Sequence, residues 1–150
     1  ELLPTEHVQF IVNELSGRAV VTARHKFGCR ILQRLIEHCP SWQVSALISE
    51  VMSDADRLCR HPFGNFVLQH ILEHGTEIQR SLVVAVMLPA ARGLANHRVG
   101  SHVLQRALAS CKMQDREILE CALAGSASER GRLARGQYGS YVMRELVSSC

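Results

Sequence analysis

The sequence predicts an all-α protein in which about four similar units stack into a solenoid. Three observations predict this fold class. A short motif recurs four times at a regular interval, apolar residues follow helical spacing, and strand-like alternation is absent from the sequence. The 150 residues, 47% of them hydrophobic, suffice for one continuous core and are too few for two ordinary domains.

The repeated motif contains a glycine that we call the anchor glycine. The four copies occupy residues 25–33, 61–69, 97–105 and 136–144 and align without gaps. Their anchor glycines are 36, 36 and 39 residues apart, a period typical of helical solenoids: Gly28, Gly64, Gly100 and Gly139. We expect the three extra residues in a loop rich in glycine and serine near 125–131.

Each complete unit is expected to contain three helices. The anchor glycine opens a helix with an apolar stripe, such as Val67, Leu68, Ile71 and Leu72 in the second unit. A short helix precedes it and a longer amphipathic helix follows it. The short segments are 18–24, 54–60, 90–96 and 129–135, and the longer ones include 42–52 and 115–124. Residues 1–16 are expected to end a preceding unit, with 5–15 as its longer helix, and the four repeats to span 17–53, 54–89, 90–128 and 129–150.

The cysteines share positions in the repeat, which favours a packing role. Cys39, Cys111 and Cys150 each lie eleven residues after an anchor glycine, where the second unit has Gly75. Because the chain has no Cys-x-x-Cys pair, we expect buried packing thiols, with a metal site or a disulfide as the alternative. We therefore expect no metal and no cofactor.

The histidines before the anchor glycines also share one position, three residues upstream: His25, His61 and His97. Capping or turn roles are more common for such residues than catalysis. No set of nucleophile, base and orienting group can be assembled from the sequence, so we expect a protein that is not an enzyme.

The charges separate by helix type. The net charge is +3, and 15 of the 17 basic residues are arginine. The short segments and anchor-glycine helices together carry +8, and the rest of the chain carries −5. We call residues 17–39, 54–75, 90–111 and 129–150 the basic stripe. Such a stripe is typical of proteins that bind a polyanion, and a solvated face with a chance bias is the alternative.

The anchor-glycine helices each carry a set of three residues that we expect opposite the apolar stripe. The set comprises the residue after the glycine, the next residue, and the residue four positions after the first. The middle residue always has a flat π-surface, which suits stacking on a base: Arg30, Phe66, His102 and Tyr141. Most of the flanking residues can form hydrogen bonds with a base edge: Cys29 and Gln33, Asn65 and Gln69, Ser101 and Gln105, Ser140 and Arg144.

These motifs, with an aromatic residue before the glycine in Phe27, Phe63 and Tyr138, resemble the Pumilio family of RNA-binding repeats. Val99 and the stacking residue His102 depart from the pattern. The resemblance, to the C-terminal half of an eight-repeat array, implies a crescent-shaped, right-handed α-solenoid that binds single-stranded RNA on its concave side. It also implies one base per repeat, a known property of this family, with RNA antiparallel to the chain.

The resemblance further implies a cytoplasmic protein that binds untranslated regions of mRNA and represses translation or promotes decay, with effector proteins on the convex face. From the hydrogen-bonding groups and the family pattern, we expect the core sequence 5′-C-A-U-A-3′. Ser140 and Arg144 select C, Ser101 and Gln105 select A, Asn65 and Gln69 select U, and Cys29 and Gln33 select the last A.

Two alternatives remain at this point. One is a protein-interaction scaffold of the armadillo or HEAT kind, and the other is a nucleolar ribosome-assembly relative of the Pumilio family. The longest apolar run, residues 82–91, contains Pro89 and is too short for a membrane span, so we expect no membrane partner. The chain shows no terminal cap, which favours either further repeats or self-association through the ends.

Overall fold

The computed structural model describes residues 5–148, which form twelve α-helices, one 3₁₀ turn and no strand. The first unit follows α1 and contains α2, α3 and α4. The second contains α5 to α7, the third α8 to α10, and the fourth α11 and α12. The helices are α1 (Thr5–Leu15), α2 (Ala19–Arg24), α3 (Gly28–His38), α4 (Ser41–Met52), α5 (Ala55–Leu58), α6 (Gly64–His74), α7 (Glu77–Met87), α8 (Ala91–Ala95), α9 (Gly100–Ser110), α10 (Met113–Ala124), α11 (Ala127–Arg135) and α12 (Gly139–Ser148).

The helices stack in two ladders. The helices that begin at the anchor glycines, α3, α6, α9 and α12, each pack on the next and form the inner ladder. The longer amphipathic helices, α1, α4, α7 and α10, form the outer ladder in the same way. Each short helix contacts the inner helix of its own unit and an outer helix. The predicted all-α solenoid is confirmed.

One continuous core runs between the two ladders. The apolar stripe of α6, comprising Val67, Leu68, Ile71 and Leu72, is 0% exposed. Neighbouring units bury each stripe together, because a single three-helix unit has too little apolar surface to enclose it. The core therefore depends on contacts between successive units.

The first and last helices of the inner ladder, α3 and α12, expose side chains at positions that are buried in α6. Ile31 of α3 is 46% exposed, whereas Val67 at the same position of α6 is 0% exposed. At the other end, Val147 of α12 is 71% exposed and its counterpart Leu72 is 0% exposed. The described array thus presents apolar side chains at both ends of the inner ladder.

The anchor glycines are required by a close approach of the short helix. A Cβ atom at Gly64 would lie 2.5 Å from Leu58 Cδ2, and one at Gly100 would lie 2.6 Å from Leu94 Cδ2. Real Cβ atoms do not approach carbon this closely. The side chain six residues before each glycine therefore packs directly on the backbone at the start of the inner helix.

In the first three units, a histidine side chain caps the N-terminus of the inner helix. In the second unit, His61 Nδ1 accepts hydrogen bonds from the backbone N–H groups of Phe63 (3.2 Å) and Gly64 (3.1 Å). His25 and His97 accept the equivalent pairs of bonds in their units. These N–H groups lie at a helix N-terminus, where the helix itself supplies no acceptor. The predicted capping role of the histidines agrees with this geometry.

The predicted loop at 125–131 is mostly helical. Only Gly125, with φ +44°, and Ser126 separate α10 from α11. Ser126 and Glu129 form a capping box, in which each side chain accepts a hydrogen bond from the other residue's backbone N–H. This cap starts the helix early despite Gly131, so the extra residues of the fourth unit lengthen α11.

The cysteines occupy different environments. Burial raises the pKa of Cys59 to about 12 and that of Cys111 to about 11, so both thiols stay protonated at neutral pH. Cys39 is half-buried and Cys121 is exposed, and the five cysteines within residues 5–148 are unpaired. Cys150 lies outside the described residues.

The helices α7 and α8 and the 3₁₀ turn between them form a stretch, Glu77–Ala95, that is long and apolar enough to cross a membrane by length and composition alone. The expectation of no membrane partner rested only on the uninterrupted apolar run at residues 82–91, which lies within this longer stretch. Some of its apolar side chains belong to the core between the units: Val83, Val84, Met87, Ala91, Leu94 and Ala95. Packing within the solenoid accounts for their apolar character.

Two arginines of the outer ladder join successive inner helices. Arg116 of α10 donates to the carbonyl oxygens of Leu108 in α9 (2.7 Å) and Glu145 in α12 (2.9 Å). Arg80 of α7 holds carbonyl groups near the ends of α6 and α9 in the same way. Carbonyl groups in the last turn of a helix lack partners within the helix, and cations are favoured there. Each guanidinium thus links two units.

Acidification should destabilise the fold through His61. Burial and, secondarily, the charge of Arg24 lower the pKa of His61, so the unfolded chain binds the proton more tightly than the folded chain. The contribution of neutral His61 to the free energy of unfolding is complete above the unfolded-state pKa of about 6.5. It is lost as the pH falls through that value toward the folded-state pKa. We predict a decrease of about 1 kcal/mol in the free energy of unfolding, the usual value of a helix cap.

Denaturant titrations at a series of pH values measure this effect. His61→Asn can accept the same N–H groups without titrating and should show a weaker pH dependence. The matched change His102→Asn, at an exposed histidine of α9, should leave the free energy of unfolding at neutral pH as it is. Equal pH dependence in the wild type and His61→Asn would contradict the role of His61.

The hydrogen bonds of Arg116 between α9 and α12 should contribute to the free energy of unfolding. We predict that Arg116→Met lowers the free energy of unfolding by about 1–2 kcal/mol, because it leaves two part-buried carbonyl groups without their donor. Arg98→Met, at an exposed arginine in the loop before α9, should change it by less than about 0.5 kcal/mol. Urea unfolding of the two variants makes the comparison, and equal stabilities would refute the link.

Candidate nucleic-acid interface

The four predicted stacking side chains lie exposed on the inner ladder. Phe66 is 47% exposed and Tyr141 is 46% exposed, and Arg30 and His102 are also exposed. They occupy the same position, two residues after the anchor glycine, on four helices that pack side by side. An exposed phenyl ring has no role in the core, so the ladder presents a row of flat side chains to solvent.

The residues directly after the anchor glycines are placed differently from our expectation. We expected the whole set opposite the apolar stripe, but Cys29, Asn65 and Ser101 are at most 3% exposed and Ser140 is half-buried. Adjacent residues are about 100° apart around a helix, and the close packing of neighbouring inner helices covers this edge. These side chains therefore lie between successive inner helices, beside the row of flat side chains.

Three of these four side chains bond to the turn before the inner helix. Cys29 Sγ donates to Lys26 O (3.3 Å), and Ser140 Oγ donates to Gln137 O (3.0 Å). Asn65 Nδ2 donates to the carbonyl oxygens of His61 (2.8 Å) and Pro62 (3.0 Å). The bonds fix the orientation of these residues.

Asn65 in turn orients Gln69. Its Oδ1 atom accepts a hydrogen bond of 2.9 Å from Gln69 Nε2, one helical turn further along α6. The asparagine has used both of its donors and one acceptor site, and the glutamine keeps one N–H and its carbonyl oxygen. The second unit therefore presents a fixed amide beside Phe66.

The third unit contains two buried polar atoms without a partner among the described residues. They are Ser101 Oγ and Gln105 Nε2, which belong to the same set. A buried donor or acceptor that lacks a partner costs about 1–3 kcal/mol.

In the fourth unit, the side chain of Arg144 stacks on the ring of Tyr141. The Arg144 guanidinium lies 5.1 Å from the centroid of the Tyr141 ring, within the range of a cation–π interaction. Arg144 is exposed, whereas the glutamines at this position in the other units are half-buried: Gln33, Gln69 and Gln105. This unit thus offers a donor-only group next to its flat side chain.

A groove of about 210 Å³ runs across three inner helices and contains predicted and unpredicted residues. Gln69, His102 and Gln105 were predicted, whereas Arg106, Ala109 and Glu145 were missed by the sequence reasoning. Arg106 follows His102 by four residues and Ala109 follows Gln105 by four. Helical spacing from the predicted residues could therefore have identified these two.

The charges of the basic stripe are partly paired, but the pairs leave its excess intact. Each of the following ion pairs joins two stripe residues, so neither partner neutralises charge from the rest of the chain: Arg24–Asp54, Arg60–Asp56, Arg92–Glu129, Arg106–Glu73 and Arg34–Glu37. The +8 of the stripe is therefore a surplus beyond these pairs. The outer helices hold acidic groups of their own, including Glu77 paired with Lys112 at 3.0 Å.

Comparison with known proteins identifies the repeats. The sequence profile of the Pumilio-family RNA binding repeat matches residues 20–52, 56–88, 93–123 and 131–150, which is most of the chain. These four matches each contain one anchor glycine. The profile confirms the resemblance inferred from the motifs and excludes the armadillo and HEAT alternative.

Solved structures with the same fold include complexes with RNA. The Puf4 RNA-binding domain bound to the HO endonuclease RNA 3′ UTR recognition sequence is 22% identical, with a TM-score of 0.87 over 98% of this chain and 45% of that chain. PUF-8 in complex with PBE-RNA is 25% identical, with a TM-score of 0.86 over 95% and 44%. The RNA-binding domain of yeast Puf5p bound to SMX2 RNA is 21% identical, with a TM-score of 0.77 over 86% and 37%. The chain thus spans less than half the length of these proteins.

Proposed function

Since the chain belongs to the Pumilio family of RNA-binding repeat proteins, we propose that it binds single-stranded RNA sequence-specifically, with one base for each of its four units. One observation carries the proposal. The inner ladder presents four exposed flat side chains in a row, each beside a polar side chain one turn along the same helix. The RNA held by Puf4, PUF-8 and yeast Puf5p supports the same conclusion.

Stacking supplies the sequence-independent part of the binding. A base next to Phe66 or Tyr141 covers an aromatic surface that is otherwise half exposed to water. Stacking of this kind contributes about 1–3 kcal/mol for each base, and every base has a flat face to offer. Arg30 and His102 provide the corresponding surfaces in the first and third units.

The polar side chains next to the flat ones supply base selection. In the second unit, Asn65 Oδ1 has one acceptor site left and Gln69 Nε2 has one N–H left, since their mutual bond uses the others. Uracil offers an N–H donor between two carbonyl acceptors, and so matches this arrangement. In the third unit, Ser101 and Gln105 match a weaker form of the family's adenine set, with the half-buried Gln105 beside the exposed His102.

The remaining two bases follow from Arg144 and from the family pattern. Arg144 donates only, and cytosine has adjacent acceptors at N3 and O2, whereas uracil turns an N–H toward the guanidinium. Cys29 and Gln33 match the family's adenine set. With RNA antiparallel to the chain, the proposed core sequence is 5′-C-A-U-A-3′.

Phosphate contacts are expected to come from the basic stripe. Its surplus of +8 attracts a polyanion, and the release of counterions makes binding weaker at higher salt. We propose that the complex forms without catalysis and without a cofactor, and that the RNA partner is mRNA.

The biological role that fits these properties is control of mRNA in the cytoplasm, by repression of translation or by promotion of decay. Effector proteins would bind the outer ladder, which exposes apolar side chains on successive helices: Phe10, Trp42, Ile78, Leu82, Met113 and Ile118. Self-association is expected through the apolar ends of the inner ladder, where Ile31 and Val147 are exposed. A membrane has no part in this function.

The stacking residues provide a direct test of binding. We predict that Phe66→Ala and Tyr141→Ala each weaken binding to an RNA that contains 5′-C-A-U-A-3′ by about 1–3 kcal/mol. The free energy of unfolding should change little, because both rings are about half exposed. Val21→Ala, at a 73% exposed position on α2, serves as the matched control and should bind normally. Fluorescence anisotropy at several salt concentrations measures the affinity, and unaltered binding in both ring variants would contradict the proposal.

The base order is tested by selection from a random RNA pool. The wild type should enrich 5′-C-A-U-A-3′, and the double variant Ser140→Asn, Arg144→Gln should change the first base from C to U. We expect a change in discrimination of about 1–3 kcal/mol, by analogy with paired hydrogen bonds to bases in DNA. If the preference at the first base stays the same, the fourth unit does not read RNA as proposed. If no motif is enriched, base selection as a whole is wrong.

A further inference from the structure

A cluster of metal-binding side chains lies in the last two turns of α6. His70, Glu73 and His74 each offer one potential ligand atom, and these atoms lie within 4.8 Å of one another. The two imidazole rings are 5.7 Å apart between centroids. Histidines four residues apart share one face of a helix, which is the spacing that helical zinc sites use.

This cluster occurs in the second unit alone among the four described inner helices. The position of His70 is occupied by Arg34, Arg106 and Glu145 in the other units. The expectation of no metal rested on the spacing of thiols, and His70 has no histidine counterpart elsewhere in the repeat. The second unit is also the only part of the basic stripe with a negative net charge, −1 over residues 54–75.

A backbone contact prepares His70 for coordination. The Nδ1 atom lies 3.1 Å from Phe66 O, and a carbonyl oxygen accepts only from a protonated nitrogen. In neutral imidazole, this contact leaves the lone pair on Nε2, the atom that binds metal. Metal-binding histidines commonly hold their second nitrogen in this way.

The neighbouring arginines are each engaged by a carboxylate. Arg106 of α9 contacts Glu73 Oε1 at 2.5 Å, and Arg34 of α3 contacts Glu37 at 2.8 Å. Glu73 Oε2 remains on the side of His74, 3.7 Å from its Nε2 atom. One oxygen of Glu73 can therefore bind an ion while the other stays bonded to Arg106, an arrangement in which the arginine orients the ligand.

We propose that this cluster is a binding site for one Zn²⁺ ion, with His70 Nε2, a ring nitrogen of His74 and Glu73 Oε2 as ligands. Two imidazoles and a carboxylate suit zinc better than calcium or magnesium, which prefer oxygen ligands alone. Water completes the tetrahedron, because the cluster is only partly buried. Binding requires no RNA, so the site stands independently of the proposed function.

Equilibrium dialysis against Zn²⁺ tests the site in the tag-free full chain. We expect one ion for each chain, with weaker binding at acidic pH, where protons compete for the imidazoles. His70→Ala and His74→Ala should each lower the affinity by about tenfold or more. The Co²⁺ form should show the visible absorption of a four-coordinate ion, and this absorption should disappear in both variants.

Two controls distinguish this site from other side chains that could bind zinc. His38→Ala changes the equivalent of His74 on α3, where Arg34 replaces the second histidine, and should bind zinc normally. The double variant Cys39→Ser, Cys111→Ser should also bind normally. His70→Gln, which keeps the size and a donor for Phe66 O, replaces His70→Ala if the latter unfolds. The proposal fails if zinc does not saturate at one ion, if the histidine variants bind as tightly as the wild type, or if the cysteine variant loses binding.

Discussion

The close approach between each short helix and the anchor glycine is the contact on which the rest of the fold depends. It fixes where the inner helix starts, and the histidine upstream fixes the direction of its first turn. Every position along the inner helix is then determined, since helical residues follow at constant rotation. The flat side chains form a row because four helices start from the same contact, at Gly28, Gly64, Gly100 and Gly139.

The sequence was sufficient to predict features that depend on local pattern. The helix types, the anchor glycines and the exposure of Phe66 and Tyr141 follow from spacing within a single unit. Other features depend on the neighbouring unit and carry no local signal. The burial of Asn65 results from packing between inner helices, and the acceptors of Arg116 are backbone carbonyl groups, which any residue provides. The start of α11 is a different case, because its local signal was present in the sequence. Ser126 and Glu129 form a capping box, but we predicted a loop from the glycine and serine content.

Polar groups along the inner ladder differ in how completely they are satisfied. Asn65 and Gln69 bind each other and the preceding turn, whereas Ser101 and Gln105 leave one atom each without a partner among the described residues. A satisfied amide holds a defined orientation, and a buried polar atom without a partner lowers stability. The sets of the second and third units thus differ in how firmly their polar side chains are held, although both helices start from the same contact.

The arginine links have a consequence for how the array responds to force. The inner and outer ladders connect each helix to its immediate neighbours, and Arg80 and Arg116 strengthen two of these junctions. A pull on the two ends of the chain would therefore meet resistance one junction at a time. We expect stepwise extension in a single-molecule stretching experiment. The junction between α3 and α6, where Val44 stands at the position of Arg80, should open at lower force than the two junctions whose inner helices an arginine of the outer ladder joins.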